Sequence, residues 1–161
     1  SGKGAETMQD GIAPLAAGDE MAWRALWHEF VADVGAQTSD KEMNRTWTRL
    51  MEPESGMYGL AARAQGVLAG FVLYATFPYP WGSGTACYMI DLGVSATFRG
   101  RGLARQLIEA LAKQGRQEGW NHVFWYAQPE NAAARRLYDR LAEQSPLVRY
   151  DMTLHPVPER S

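Results

Sequence analysis

The chain of 161 residues has one cysteine, Cys87. No internal disulfide is possible, which excludes the disulfide-stapled secreted scaffolds and fits a reducing compartment. Its three histidines, His28, His122 and His155, lie far apart with no cysteine cluster beside them. The ligand spacing of a structural zinc site is missing, and no metal is expected. Neither sign of charge is in surplus: 16 Lys and Arg stand against 18 Asp and Glu, a formal net charge of −2. Nucleic-acid binding calls for a basic stripe, so no nucleic-acid partner is expected. The uncharged stretch from Gly66 to Ile90 is broken by Pro78, Pro80, Gly82, Ser83 and Gly84. No clean run of about 20 apolar residues is left to span a membrane. A basic-then-apolar signal segment is also missing, and the cytoplasm is the expected compartment.

What is present is ordinary for a globular protein: 46% apolar and 21% charged residues, in a length suited to one domain. Ser1 to Asp10 is small, polar and patternless, and reads as a disordered leader or an expression scar. Residues 11–161 read as the single domain.

Ile12 to Leu15 reads as a short strand. Asp19 is placed to cap a helix carrying Trp23, Leu26, Trp27, Phe30 and Val34 at helical spacing, with Gly35 at its end. Ser39 or Asp40 can cap a second helix with Met43, Trp47 and Leu50 on one face, and Pro53 follows it. Tyr58 to Arg63, Leu68 to Phe77 and Cys87 to Val94 read as strands of a meander, with a turn at Gln65-Gly66 and a bulge suggested at Gly70. From Gly102 the stripe Leu103, Leu107, Ile108 and Leu111 predicts a helix that Gly119 ends. His122 to Tyr126 reads as a strand. Asn131 can cap a last helix with Ala134, Leu137, Tyr138 and Leu141 on one face. Val148 to Leu154, after Pro146, reads as a final strand. The order predicts an α+β or mixed α/β fold.

The segment Asp91-Leu92-Gly93-Val94 through Phe98-Arg99-Gly100-Arg101-Gly102-Leu103-Ala104 runs from strand through a glycine-rich basic loop into a helix. Successive backbone N–H groups in such a loop form an anion nest, and the helix start adds free N–H groups and a favourable dipole. A bound phosphate or pyrophosphate is the physical expectation, with a plain turn as the alternative. The Gly-Lys-Ser or Gly-Lys-Thr of a nucleoside-triphosphate loop does not occur. Arg105 stands where a dinucleotide fingerprint needs its third glycine, and Trp125-Tyr126-Ala127-Gln128 lacks the acidic residue. A nicotinamide or flavin enzyme is therefore disfavoured.

Arg99-Gly100-Arg101-Gly102-Leu103-Ala104 matches the [Gln/Arg]-x-x-Gly-x-[Gly/Ala] acetyl-coenzyme A loop of the GNAT superfamily of N-acetyltransferases. Asn131-Ala132-Ala133-Ala134-Arg135-Arg136-Leu137-Tyr138 resembles the second GNAT signature, at the expected separation. The resemblance runs from about Asp19 to Leu154. Trp47, Gly59-Leu60, Tyr88, Asp91-Leu92 and Arg136-Leu137-Tyr138-Asp139 look most like the branch of the yeast histone and polyamine acetyltransferases and their bacterial relatives. It implies a central, mostly antiparallel sheet with one splayed parallel strand pair and about four flanking helices. It also implies acetyl-CoA as co-substrate, an amine acceptor, and a homodimer, as in many relatives.

Residue by residue, the resemblance lays the pantetheine arm on the main chain of Leu92, Gly93 and Val94, with Gly93 read as suiting a bulge. It brings the pyrophosphate to the N–H groups of Arg99 through Ala104. Asn131, with Ala134 in the same signature, would cap its helix and reach the coenzyme arm. Tyr138 falls at the general-acid position, with core packing as the alternative. Spermidine and spermine acetyltransferases would have Glu where Ile90 stands, so the base does not carry over. Asp91 is the nearest carboxylate, but strand alternation turns it to the opposite face unless a bulge intervenes. Tyr88 shares the face of Ile90 and can orient a water. Trp27 and Glu29 on the first helix and Trp81 in the 78–85 loop are candidates for the acceptor site. A solvated face for Glu29 and core packing for the tryptophans are the bland readings. Cys87 reads as a small buried apolar residue, not an acetyl carrier. The leading reading is acetyl transfer to a primary amine by direct attack. The acceptor would be a polyamine, amino acid, aminoglycoside or protein lysine. A non-catalytic acyl-CoA-binding module is the alternative.

Overall fold

The structure is a computed structural model, described here for residues 10–155. The expected leader Ser1 to Asp10 lies outside the described residues except for Asp10, whose carboxylate accepts a hydrogen bond from the Gly66 N–H at 3.1 Å.

The elements in chain order are β1 (Gly11–Pro14), α1 (Glu20–Asp33), α2 (Asp40–Met51), β2 (Met57–Ala64), β3 (Val67–Pro78), β4 (Thr85–Val94), α3 (Leu103–Glu118), β5 (Val123–Phe124) and α4 (Ala132–Leu141). They form one five-stranded sheet in the order β1-β2-β3-β4-β5. Every neighbouring pair is antiparallel except β4 and β5, which are parallel.

Two apolar layers hold the helices to the sheet. On one face Leu103, Leu107, Ile108 and Leu111 of α3 pack against Leu60, Val72, Cys87 and Met89, and α4 adds Leu137, Tyr138 and Leu141. On the other, Trp23 and Leu26 of α1 and Met43, Trp47 and Leu50 of α2 pack against Ala61, Phe71 and Leu73. Trp23 is fully buried, its ring 5.4 Å from Trp27 and 5.3 Å from Trp47. The helical spacing of these residues in the sequence is therefore the spacing of the core.

Several local expectations change. Ser39, rather than Asp40, caps α2: its hydroxyl accepts from the Glu42 N–H and the Glu42 carboxylate accepts from the Ser39 N–H. Asp19 precedes α1, but its carboxylate accepts from the Ala16 N–H at 2.8 Å and pairs with Arg63 of β2 at 2.5 Å. It ties α1 to the sheet instead of capping the helix. The bulge near Gly70 falls one residue earlier, since Ala62 pairs with Gly70 and Arg63 with Leu68, skipping Ala69. β5 keeps only two of its five expected residues. Val148 to Leu154 does not form the expected strand. Its alternation supplies an apolar face but not a ladder, and residues 142–155 contain no helix or strand.

Candidate active site

The site begins with what β5 does not do. It pairs with β4 only at Cys87↔Val123 and Tyr88↔Phe124, and the Cys87 N–H bonds the His122 carbonyl at 3.0 Å. Beyond Tyr88 this edge of β4, including Leu92, Gly93 and Val94, pairs with no strand among the described residues. Parallel strands that part in this way leave a V lined by unpaired backbone, able to pair with an extended amide-bearing chain.

At the far end of β4, a 3-10 turn (Ala96–Phe98) leads into Gly100 and Gly102, with φ of +75° and +79°. Only glycine adopts these values without strain. An added Cβ meets nothing at Gly100, and at Gly102 nothing nearer than Gln106 Nε2 at 4.0 Å. The glycines are needed for backbone direction, not for room. Gly102 is the N-cap of α3 and no side chain caps that end. The first N–H groups of the helix therefore have no intrahelical acceptor. Left-handed glycines before an uncapped helix make the concave N–H array that binds anions.

The loop is held from outside by α1. Glu29 accepts from the Ala96 N–H at 2.6 Å, and Asp33, one turn on, pairs with Arg99. The guanidinium of Arg99 is thus turned to α1, its Nε–H donating to the Val94 carbonyl at 3.4 Å, while the Arg99 backbone N–H donates to the Ala96 carbonyl at 3.4 Å. Arg101 lies over the Phe98 ring at 5.0 Å. Glu29 is a loop tether here, which neither the acceptor-site nor the solvated-face reading anticipated. Asp33 was not singled out at all. A signal for both was available: two carboxylates four apart at the end of a helix that the fold lays beside a basic loop.

The decisive irregularity in β4 is at Ile90. Leu73 pairs with Asp91 and Tyr74 with Met89, leaving Ile90 without an opposite residue. A bulge flips the parity of everything after it. Asp91 consequently shares the α1/α2 face with Leu73, and it is buried there. The intervening bulge that Asp91 needs is present. Gly93 is not part of it. A Cβ at Gly93 would sit 2.7 Å from Phe71 Cε1 and 3.1 Å from Phe30 Cδ2. Gly93→Ala is expected to cost about 1–3 kcal/mol through overpacking, read as a lower urea midpoint at unchanged slope.

Tyr88 stacks on Phe124 at 5.2 Å and meets Tyr126 edge-on at 5.6 Å. On the α1/α2 face Trp27 and Phe30 form a second aromatic cluster with Phe71, at ring distances of 5.8 and 5.5 Å. Phe124 and Tyr126 were not singled out, although the alternation His122, Phe124, Tyr126 was legible. Trp81 is exposed in the β3–β4 connection, at the opposite end of β4 from the glycine loop.

Tyr138 of α4 is half-buried on the other face, its ring edge-on to Trp125 at 5.4 Å. Burial raises its pKa above the usual phenol value, so the hydroxyl keeps its proton at neutral pH. Asn131 caps α4, its side-chain oxygen accepting from the Ala134 N–H at 3.2 Å. Cys87 is fully buried, and burial pushes its thiol up to about 12.

A splayed parallel pair with a glycine-led, uncapped helix start between its strands is a geometry suited to an extended, phosphate-bearing ligand. Residues 21–142 match the family model described as Acetyltransferase (GNAT) family. The chain belongs to that family and is an N-acetyltransferase. It is 28% identical over 134 residues to a D-amino-acid N-acetyltransferase of Saccharomyces cerevisiae, covering 82% of this chain and 83% of the yeast protein. A ribosomal-protein-alanine N-acetyltransferase from Brucella melitensis biovar Abortus 2308 has the same fold, with a TM-score of 0.75 at 24% identity, covering 91% of this chain and 100% of that one. AAC(6')-Iy, in complex with the bisubstrate analogue CoA-S-monomethyl-acetylneamine, also superposes with a TM-score of 0.75, at 20% identity over 90% of this chain and 99% of its own.

Proposed function

We propose that the protein transfers the acetyl group of acetyl-CoA to the primary amine of a small acceptor, by direct attack with both substrates bound. The uncapped start of α3 behind two left-handed glycines carries this reading. The N–H groups from Gly100 to Ala104 would hold the pyrophosphate, with Arg101 and Arg105 nearby as positive charge. The free edge of Leu92, Gly93 and Val94 would pair with the pantetheine arm, and Asn131 would reach the same arm from α4. Bound there, the coenzyme supplies the activated acetyl thioester.

An alkyl ammonium has a pKa near about 10.4 and must lose a proton before its nitrogen can attack. Asp91 would take that proton, directly or through a water held by Tyr88. The new C–N bond forms as the C–S bond breaks, and Tyr138 hands its proton to the departing thiolate. The aromatic cluster that includes Trp27 would receive the acceptor's stem or cation, and Trp81 would stand at the outer mouth. The yeast relative supports an amino acid as the first acceptor to test. A cytoplasmic homodimer belongs to the same reading, supported by a lone buried cysteine and by exposed apolar side chains.

The test is coenzyme-dependent thiol release over D- and L-amino acids, polyamines, aminoglycosides and lysine peptides. Activity with at least one small amine is expected, and none with any member of the panel would refute the reading. With the best acceptor, Asp91→Asn should lower kcat/KM on the order of tenfold or more.

A further inference from the structure

The end of α1 breaks a local rule. Glu29 and Asp33 stand one turn apart there, and the last turn carries no basic residue. A helix C-terminus is the negative end of the dipole, so carboxylates are unfavourable in that place. Such a conflict persists where another contact offsets it.

The contacts in question are on β4 and the turn before the glycine loop. Phe30, beside Glu29, packs so closely on β4 that a Cβ at Gly93 would lie 3.1 Å from its Cδ2. The Ala96 N–H opens the 3-10 turn, and no side chain at Ser95 caps it. That donor would be an orphan, and Glu29 accepts from it at 2.6 Å. Asp33 then pairs with Arg99. Residues 29, 30 and 33 share one face of α1, and together they hold the chain from Gly93 to Arg99. The sheet and core fix the same stretch: the Ser95 N–H donates to the Ala69 carbonyl at 2.8 Å, and Phe98 is buried. The held stretch ends where the left-handed glycines begin.

The side chain of Arg99 is therefore committed. Asp33 takes its terminal nitrogen, and the Val94 carbonyl accepts from its Nε–H at 3.4 Å. A guanidinium engaged in this way is not presented to an anion at Gly100 to Ala104.

We infer that Glu29 and Asp33 are positioning residues for the coenzyme, and that Arg99 is the anchor of Asp33 rather than a ligand of the phosphates. The inference rests on the coenzyme reading proposed above. The N–H groups after Arg99 form an anion nest only while the turn before them keeps its direction. Ordering a binding loop in advance raises affinity, because the ligand no longer bears that cost. Neither carboxylate would need to touch the coenzyme. Unpaired, two negative charges beside a pyrophosphate would oppose its binding; here each is engaged by a donor of the loop.

Calorimetry of coenzyme A binding to the full chain tests this without acceptor or turnover. Asp33→Ala and Arg99→Ala should each weaken binding by about two- to fivefold, the range of an exposed ion pair. The double variant should lose no more than either alone, because both changes remove one contact. If Arg99 were a phosphate ligand, Asp33→Ala would release it to the coenzyme. Unchanged or tighter binding by Asp33→Ala therefore overturns the inference, as do additive losses in the double variant. Glu29→Ala should weaken binding about tenfold, the worth of a hydrogen bond to a charged group. Glu29→Gln, whose amide oxygen can still accept from the Ala96 N–H, should recover most of that loss. In turnover the losses should fall on KM for acetyl-CoA rather than on kcat. A fall in kcat with unchanged coenzyme affinity overturns the inference and returns Glu29 to the acceptor side. Wild-type protein that binds no coenzyme A refutes the coenzyme reading and this inference with it. Wild-type binding that every variant shares refutes the inference alone.

Discussion

Gly102→Asp is expected to remove the thermal stabilisation that acetyl-CoA gives the wild-type protein. The substitution acts twice at one point. The φ of +79° at Gly102 is a conformation that a side chain resists, so the loop is strained or rebuilt. The new carboxylate also caps the helix start and competes there with the pyrophosphate. Each charge-assisted hydrogen bond lost is worth about 1.5–3 kcal/mol. Two such losses weaken coenzyme binding by ~100-fold or more. A ligand that binds only the folded state stabilises it in proportion to the logarithm of concentration over Kd, so the melting shift should vanish at concentrations that saturate the wild type. Gly102→Ala separates the two causes. It keeps the strain of roughly 1 kcal/mol but adds no charge, and should retain most of the shift. A full shift with Gly102→Asp would move the coenzyme away from this loop.

Tyr138→Phe should lower turnover by about 10²–10⁴-fold, the usual worth of a general acid, while coenzyme affinity by calorimetry stays close to wild type. The phenyl ring keeps the edge-on contact with Trp125, so packing of α4 is conserved and only the proton is lost. The loss should appear equally in kcat and kcat/KM, since the hydroxyl acts on charge that develops as the thiolate leaves. The pH profile gives a second reading. Burial raises the Tyr138 pKa, which favours the neutral hydroxyl in the folded state. The alkaline limb it causes therefore lies above the ordinary phenol value of about 10, and the phenylalanine variant should lack it. A rate within about threefold of wild type would mean that Tyr138 only packs.

The conformation of the glycine loop was legible in the sequence because its requirements are local. Left-handed backbone at Gly100 and Gly102 and a stripe beginning at Leu103 need only a few neighbouring residues to be specified. The Asn131 and Ser39 caps were legible for the same reason. Asp91 was not, because its face depends on how β4 registers against β3, and the bulge at Ile90 is a property of the pair. Asp19 misled in a similar way: a good capping residue found a better partner in Arg63, 44 residues along the chain. Gly93 was read for its flexibility when the constraint is the Phe71 ring. The last strand had the right alternation, but alternation cannot specify a partner.

The burial of Cys87 also removes one route for the acetyl group. A thiol that is fully enclosed and holds its proton until about pH 12 is neither a nucleophile nor a redox target at neutral pH. No acetyl group can be parked on it between half-reactions, so a thioester intermediate on this cysteine is excluded. Direct attack with both substrates bound, as proposed, predicts double-reciprocal lines that intersect. The same enclosure keeps the protein silent toward aromatic disulfide reagents, so any colour they develop counts only the thiol that leaves with the coenzyme.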